Sequence, residues 1–166
     1  MGVVHAAGVL ADKVLRSMAA KDVGISFAPK ALAASYVHAA LAQAPVEILG
    51  LFSSVSSTFG NVGQANYAAA NAALDALALS RRSQGALSSS PQLPAVSGAG
   101  MGASTFGKEQ LEAMGAISLD EFAVSLTASL VLCRASAERV QATLSSELVR
   151  VLAKGSILSE LQASID

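Results

Sequence analysis

The hydrophobic pattern changes period several times along the chain. Gly2-Val3-Val4-His5-Ala6-Ala7-Gly8 is an apolar run closed by glycine and predicts a buried strand. From about Asp12 to Leu41, apolar residues recur three and four apart, which predicts helix, divided or bent at Pro29. Val46 to Ser54 predicts a second strand running into small polar residues, and Ser56 to Gln64 a loop rich in Ser, Gly and Asn. Ala65 to about Ser83 predicts a strong Ala/Leu helix. It ends in Arg81-Arg82-Ser83-Gln84-Gly85, basic residues and then glycine, as helix C-termini prefer. Ala86 to Gln92 reads as a Ser/Pro linker, Leu93 to Ser97 as a short third strand, and Gly98 to Gly107 as a glycine-rich loop. Lys108 to Met114 and Ser118 to Cys133 predict helices, the latter opened by a Ser118/Glu121 capping box. Arg139 to Leu144 is a candidate fourth strand.

Strands alternating with helices predict an α/β fold, a partial Rossmann-like three-layer arrangement with a short, mostly parallel sheet of about four strands. One body over 1–145 and a C-terminal, helical tail over 146–166 are expected, with no internal repeat. In such sheets reactive groups gather where strands end and helices begin. That places candidate chemistry near Gly8, near Ser53 to Ser57, and near Ser97 to Met101.

Composition narrows the partners. Of the 166 residues 52% are hydrophobic, which excludes a disordered chain, and only 14% are charged against about 25% in an average soluble protein. The net charge of −1 leaves no basic excess to neutralise phosphates, so no nucleic acid is expected. So low a charge also predicts that part of the surface is covered by another chain or domain. Cys133 stands alone, His5 and His38 are the two histidines, and no carboxylate cluster accompanies them. No disulfide framework and no metal site are expected. Nothing reads as a membrane span or a targeting signal, and a cytoplasmic protein is expected.

Tyr67 and Asn71, at i and i+4 of the strong helix, share one face. Ser54 lies 13 residues before Tyr67 at the end of the second strand, and Lys30 on the helix before that strand. Taken singly, each has a bland reading: core tyrosine, turn serine, solvated lysine. Together they suit proton transfer to a carbonyl oxygen. A phenol is protonated at neutral pH and can act as the acid. Lowering its pKa by about 3 units takes roughly 4 kcal/mol of differential stabilisation, which an ammonium in a dry pocket can supply.

Leu51-Phe52-Ser53-Ser54-Val55-Ser56-Ser57, followed by Gly63-Gln64-Ala65-Asn66-Tyr67-Ala68-Ala69-Ala70-Asn71, resembles the ketoreductase domain of modular polyketide and animal-type fatty acid synthases, a branch of the short-chain dehydrogenase/reductase superfamily. Val3 to Leu10, Ala28-Pro29-Lys30 and Arg81 to Gly85 with Leu93-Pro94-Ala95 agree, so the likeness covers about residues 2–135. Most short-chain dehydrogenases have lysine four residues after the tyrosine; Asn71 there, with Lys30 upstream, is the ketoreductase arrangement.

The resemblance implies a catalytic set of Tyr67 as proton donor, Ser54 orienting the substrate carbonyl, Lys30 lowering the pKa of Tyr67, and Asn71 completing the tetrad. It implies cofactor contacts from His5, Ala6, Ala7, Gly8, Lys30 and Tyr67. The implied reaction is NADPH-dependent reduction of a β-ketoacyl thioester, carried on acyl carrier protein, to a β-hydroxyacyl thioester. Other synthase domains are implied as partners. Asp12 stands where one stereochemical class carries an aspartate and Phe59 where the opposite class carries a tryptophan; both point to a D-hydroxy outcome, although Ala11 departs from the family's Leu-Asp-Asp. Only 66 residues precede Tyr67, and no tryptophan stands near Ser97-Gly98-Ala99-Gly100-Met101. The N-terminal nucleotide-binding half is therefore expected to be missing, Val3 to Ala6 to form an open sheet edge, and the isolated chain to be inactive. The alternative is a non-catalytic synthase fragment acting as a docking module. Two further motifs compete for a phosphate: Gly98-x-Gly100-x-x-Ala103, and Gly102-x-x-x-x-Gly107-Lys108, where Glu109 replaces the magnesium-binding hydroxyl.

Overall fold

A computed structural model describes residues 2–44 and 46–135. The chain divides between Gln92 and Leu93 into two compact units. The first is built on a parallel sheet of β1 (Gly2–His5), β2 (Ile48–Leu51) and β4 (Ser88–Ser89), in the order β1-β2-β4. Val3 lies opposite Leu49 and His5 opposite Leu51, while Leu49 faces Ser88 on the other side. β2 is thus the central strand, and its Leu49 and Leu51 are fully buried. A strand covered on both faces is expected to be apolar rather than alternating.

The helices α1 (Ala20–Phe27), α2 (Ala33–Ala40) and α4 (Ala65–Ser83) complete this unit, with the short β3 (Ser53–Ser54) and α3 (Ser56–Phe59) between strand and helix. Leu49 and Leu51 pack with Ala34 of α2 and with Leu74 and Ala78 of α4. Val3, Val37, Leu41 and Leu77 close the periphery of that core. β5 (Gln92–Leu93) stands at the division, and the second unit continues with α5 (Gly100–Thr105), α6 (Lys108–Ala113) and α7 (Leu119–Ala135). There Val96 bridges Ile117 in parallel, and Ser118 and Glu121 exchange the reciprocal bonds of the expected capping box.

The parallel α/β architecture agrees with the sequence pattern, with local differences, among them the helical turn Ser56–Phe59 where a loop was expected. The first helix begins at Ala20, not near Asp12, because Lys13 donates its backbone N–H to Gly63 (2.7 Å) and holds this stretch to the loop before α4. The division expected at Pro29 is present: α1 ends at Phe27, α2 starts at Ala33, and Ala28–Leu32 between them forms one wide π-helical turn that accommodates the missing N–H. The third strand of the sheet is Ser88–Ser89, inside the presumed linker. Serine can enter a buried strand here because Ser88 Oγ donates to the Leu49 carbonyl (2.9 Å). Gly100–Thr105 is helical where a loop was expected. The candidate strand from Arg139 and the tail over 146–166 lie outside the described residues.

Among the described residues no helix is long and apolar enough to cross a membrane, and no group of three metal-ligating side chains forms.

Candidate active site

The site lies where the chain leaves β1 and β2. Phe52, just past β2, donates its N–H to the His5 carbonyl (2.9 Å). Its own carbonyl accepts a hydrogen bond from Lys30 Nζ (2.9 Å). His5 Nε2 donates to the Lys30 carbonyl (3.1 Å), which requires the Nε2–H tautomer or the imidazolium. Three segments distant in sequence are thereby knotted around one ammonium, and only 3% of Lys30 is exposed.

Tyr67 sits in the first turn of α4. Asn66 holds that turn in place: its Nδ2 donates to the carbonyls of Ala11 and Asp22, both at 2.9 Å. Gln64 Nε2 adds a bond to Asp12 Oδ2 (2.9 Å). The helix start is therefore tied to the segment after β1 and to α1. Tyr67 is itself buried, and Lys30 Nζ stands 5.2 Å from the centroid of its ring, within cation–π reach. Asn71, one turn on, donates Nδ2 to the Tyr67 carbonyl (2.8 Å). Its Oδ1 is buried with no partner among the described residues. Of the two adjacent serines, Ser53 is buried and donates to the Asn71 carbonyl (3.3 Å). Ser54 Oγ accepts the Ser56 N–H (3.2 Å).

Burial shapes the protonation of both central groups. It pushes Lys30 down to about 8, against the pull of the Asp75 carboxylate, which favours the ammonium. It pushes the Tyr67 phenol up; the side chains of Asn71 and Ser54 offset this in part, and the Asp12 carboxylate adds to it. A phenol lowered by Lys30 was expected. In this structure the ammonium lies toward the ring and bonds the Phe52 carbonyl, and desolvation dominates at the phenol. At neutral pH the site thus holds a neutral phenol and a mostly charged amine.

The structure brings Lys30, Ser54, Tyr67 and Asn71 together. His5 is buried as a strut beneath Lys30; Ala6 and Ala7 are exposed and Gly8 half-buried at the carboxyl end of β1. The two phosphate-binding motifs gain no support. Gly100 opens a six-residue helix, and Lys108 is a solvent-facing residue 3.9 Å from Glu112. Spacing missed Asn66, Gln64 and Asp75. The last was nonetheless detectable as the third member of the i, i+4, i+8 series from Tyr67.

A family model described as KR domain matches residues 1–98, more than half the chain. The chain belongs to the KR-domain family. Among curated relatives of this KR domain, polyketide synthase GfsA of Streptomyces halstedii is 51% identical over 89 residues, which are 54% of this chain and 1% of that protein. Reducing polyketide synthase DEP5 of Alternaria brassicicola is 40% identical over 124 residues, 74% of this chain and 5% of that protein. Among solved structures, the first ketoreductase of the tylosin polyketide synthase superposes with a TM-score of 0.70 at 36% identity, covering 80% of this chain and 29% of that one. The chain therefore spans a small part of the synthases it matches and under a third of a solved ketoreductase.

The residues present fit a nicotinamide cofactor. Small, exposed side chains follow a parallel strand at its carboxyl end, a buried ammonium stands behind them, and a buried amide oxygen lacks a partner among the described residues.

Proposed function

We propose that this KR domain reduces a β-ketoacyl thioester, carried on acyl carrier protein, to the β-hydroxyacyl thioester with NADPH, alongside other domains of a synthase. The observation that carries this reading is the Lys30 ammonium 5.2 Å from the Tyr67 ring, with Ser54 and Asn71 close enough to bias the phenol. Ser54 Oγ, already accepting the Ser56 N–H, has its proton to offer to the substrate carbonyl and fixes its direction. Tyr67, kept protonated by burial, delivers its proton to that oxygen as negative charge develops there. Lys30 presents its ammonium toward the ring face as the proton leaves. Asn71 Oδ1, a buried acceptor, receives a water that returns the proton. His5 to Gly8, Lys30 and Tyr67 would hold the cofactor, and the nicotinamide, when bound, supplies the hydride.

A second reading, a docking module without catalysis, draws on β1. Among the described residues it pairs only with β2, and Val4 on it is 49% exposed. Fluorescence titration with NADPH, followed by trans-1-decalone or a small β-ketoacyl thioester, separates the two. Turnover that vanishes in Tyr67→Phe supports the reductase and retires the docking module. No NADPH binding and no turnover retires the reductase reading for this chain.

A further inference from the structure

The stripe of α4 that carries Tyr67 and Asn71 continues to Asp75, which the reading above leaves without a task. Its carboxylate collects three side-chain donors. Oδ2 accepts from Ser57 Oγ (2.7 Å) and Gln92 Nε2 (2.9 Å), and Oδ1 accepts from Ser90 Oγ (2.5 Å). Gln92 Oε1 in turn accepts from Thr58 Oγ1 (2.7 Å). Ser57 Oγ also lies 2.9 Å from the Ser54 carbonyl oxygen, so its single proton is shared between that carbonyl and the carboxylate. The result is a continuous path from Ser54 through Ser57 to the helix of Tyr67, closed on its other side by Ser90 and Gln92.

The choice of residue fits that task. A carboxylate is acceptor-only at both oxygens, so it takes donors on either side without competing for them, and charge-assisted bonds of this kind are short and directional. Ser54 sits in a two-residue strand and Ser57 in a one-turn helix. Neither element is long enough to fix a hydroxyl by backbone bonding alone.

We propose that Asp75 is a positioning residue: through Ser57 it clamps the Ser54 turn to α4, so that the Ser54 hydroxyl and the Tyr67 phenol stay aimed at one point. The proposal rests on the reductase reading for why that aim matters, and on the hydrogen-bond path alone for the clamp itself. The attraction of Asp75 on Lys30 gives the same carboxylate a second influence on the site, favouring the charged amine.

The test uses the full 166-residue chain as wild type, Asp75→Asn and Ser57→Ala. Amide hydrogen exchange at Ser54 to Ser57 reads the clamp, and the 13Cε shift of Lys30 against pH reads the field. In both variants the Ser56 and Ser57 amides are expected to exchange about tenfold faster. In Asp75→Asn alone, the Lys30 midpoint is expected to fall by about half a pH unit. With turnover in hand, both variants are expected to lose kcat by about tenfold with KM for NADPH within about twofold. Exchange at Ser54 to Ser57 unchanged in both variants overturns the proposal. So does a loss of order shared evenly by α4 and the sheet, which would make Asp75 a general structural residue. Should Asp75→Asn not fold, Ser57→Ala removes one of the three donors, keeps the carboxylate, and decides the exchange test by itself. A wild type without turnover defeats the reductase reading and leaves the clamp to be judged by exchange and titration, which need no substrate.

Discussion

Two stripes run side by side down α4. Ala70, Leu74 and Ala78 are fully buried, and Leu74 and Ala78 pack with Leu49 and Leu51 of the sheet. Tyr67, Asn71 and Asp75 have the same four-residue spacing, rotated by a fraction of a turn. The first stripe is held by close packing and asks only for shape. The second is held by named bonds, to Ser57, Ser90 and Gln92 at one end and to the Lys30 pocket at the other. On the proposed function, one helix serves stability and chemistry by presenting neighbouring faces, and substitutions on the two should separate what they damage.

The largest separation is expected at Tyr67. Tyr67→Phe keeps the ring and its packing and removes only the proton. Turnover is expected to fall by about 10²- to 10⁴-fold, while the free energy of denaturant unfolding stays within about 1 kcal/mol of wild type. Comparable losses in both measurements would place Tyr67 on the packing stripe. The counterpart is Leu74→Ala, which leaves a cavity under β2 and is expected to cost about 2–5 kcal/mol in the same unfolding experiment. The residual turnover per folded molecule is expected to remain near wild type.

Lys30 connects the two properties. Its folded-state pKa of about 8 lies below the ordinary lysine value of 10.5. The unfolded chain therefore binds more protons between those values, and stability must rise with pH across that window. The difference corresponds to on the order of 3 kcal/mol for so deeply buried a group. The penalty is fully present below about pH 8. Lys30→Met is expected to flatten the stability curve between about pH 8 and 10.5, measured by urea unfolding at stepped pH. If Lys30→Met follows the wild-type slope, the amine is solvated in the folded chain. Turnover by the wild type is expected to decline above about pH 8, as the amine that supports the departing phenolic proton loses its charge.

The same contrast explains what could be read from the sequence. The core stripe and the Tyr67/Asn71 pair follow from helical period, a local property. Ser54 at the end of an apolar strand follows almost as directly. Lys30 was legible only as a residue of the helix before that strand, because its approach to Tyr67 depends on the His5–Lys30–Phe52 knot, which is tertiary. Asp75 escaped because an acidic residue on an Ala/Leu helix reads as a solvated face, and its donors arrive from 18 residues upstream and from 15 and 17 residues downstream. The start of α1 was misplaced for a related reason. The apolar spacing continues back to Asp12, but the backbone of Lys13 is already committed to Gly63.

Ser88 is the smallest and sharpest of these cases. Its segment, Ala86 to Gln92, has the composition of a linker, yet Ser88 is fully buried as the strand partner of Leu49. Its hydroxyl closes the account by donating to the Leu49 carbonyl (2.9 Å). Ser88→Ala removes the donor and leaves a carbonyl that already takes part in a sheet, so the expected loss is about 1 kcal/mol in denaturant unfolding. Ser88→Val would favour a strand by propensity, but the added methyl groups must enter a position with no exposed surface, and overpacking there is expected to cost about 1–3 kcal/mol. If valine proved the more stable of the two, the strand would be under-packed and serine a residue of convenience. If alanine proved the more stable, β4 is held by its close fit beside β2, and the small side chain is what lets a linker-like sequence enter the sheet.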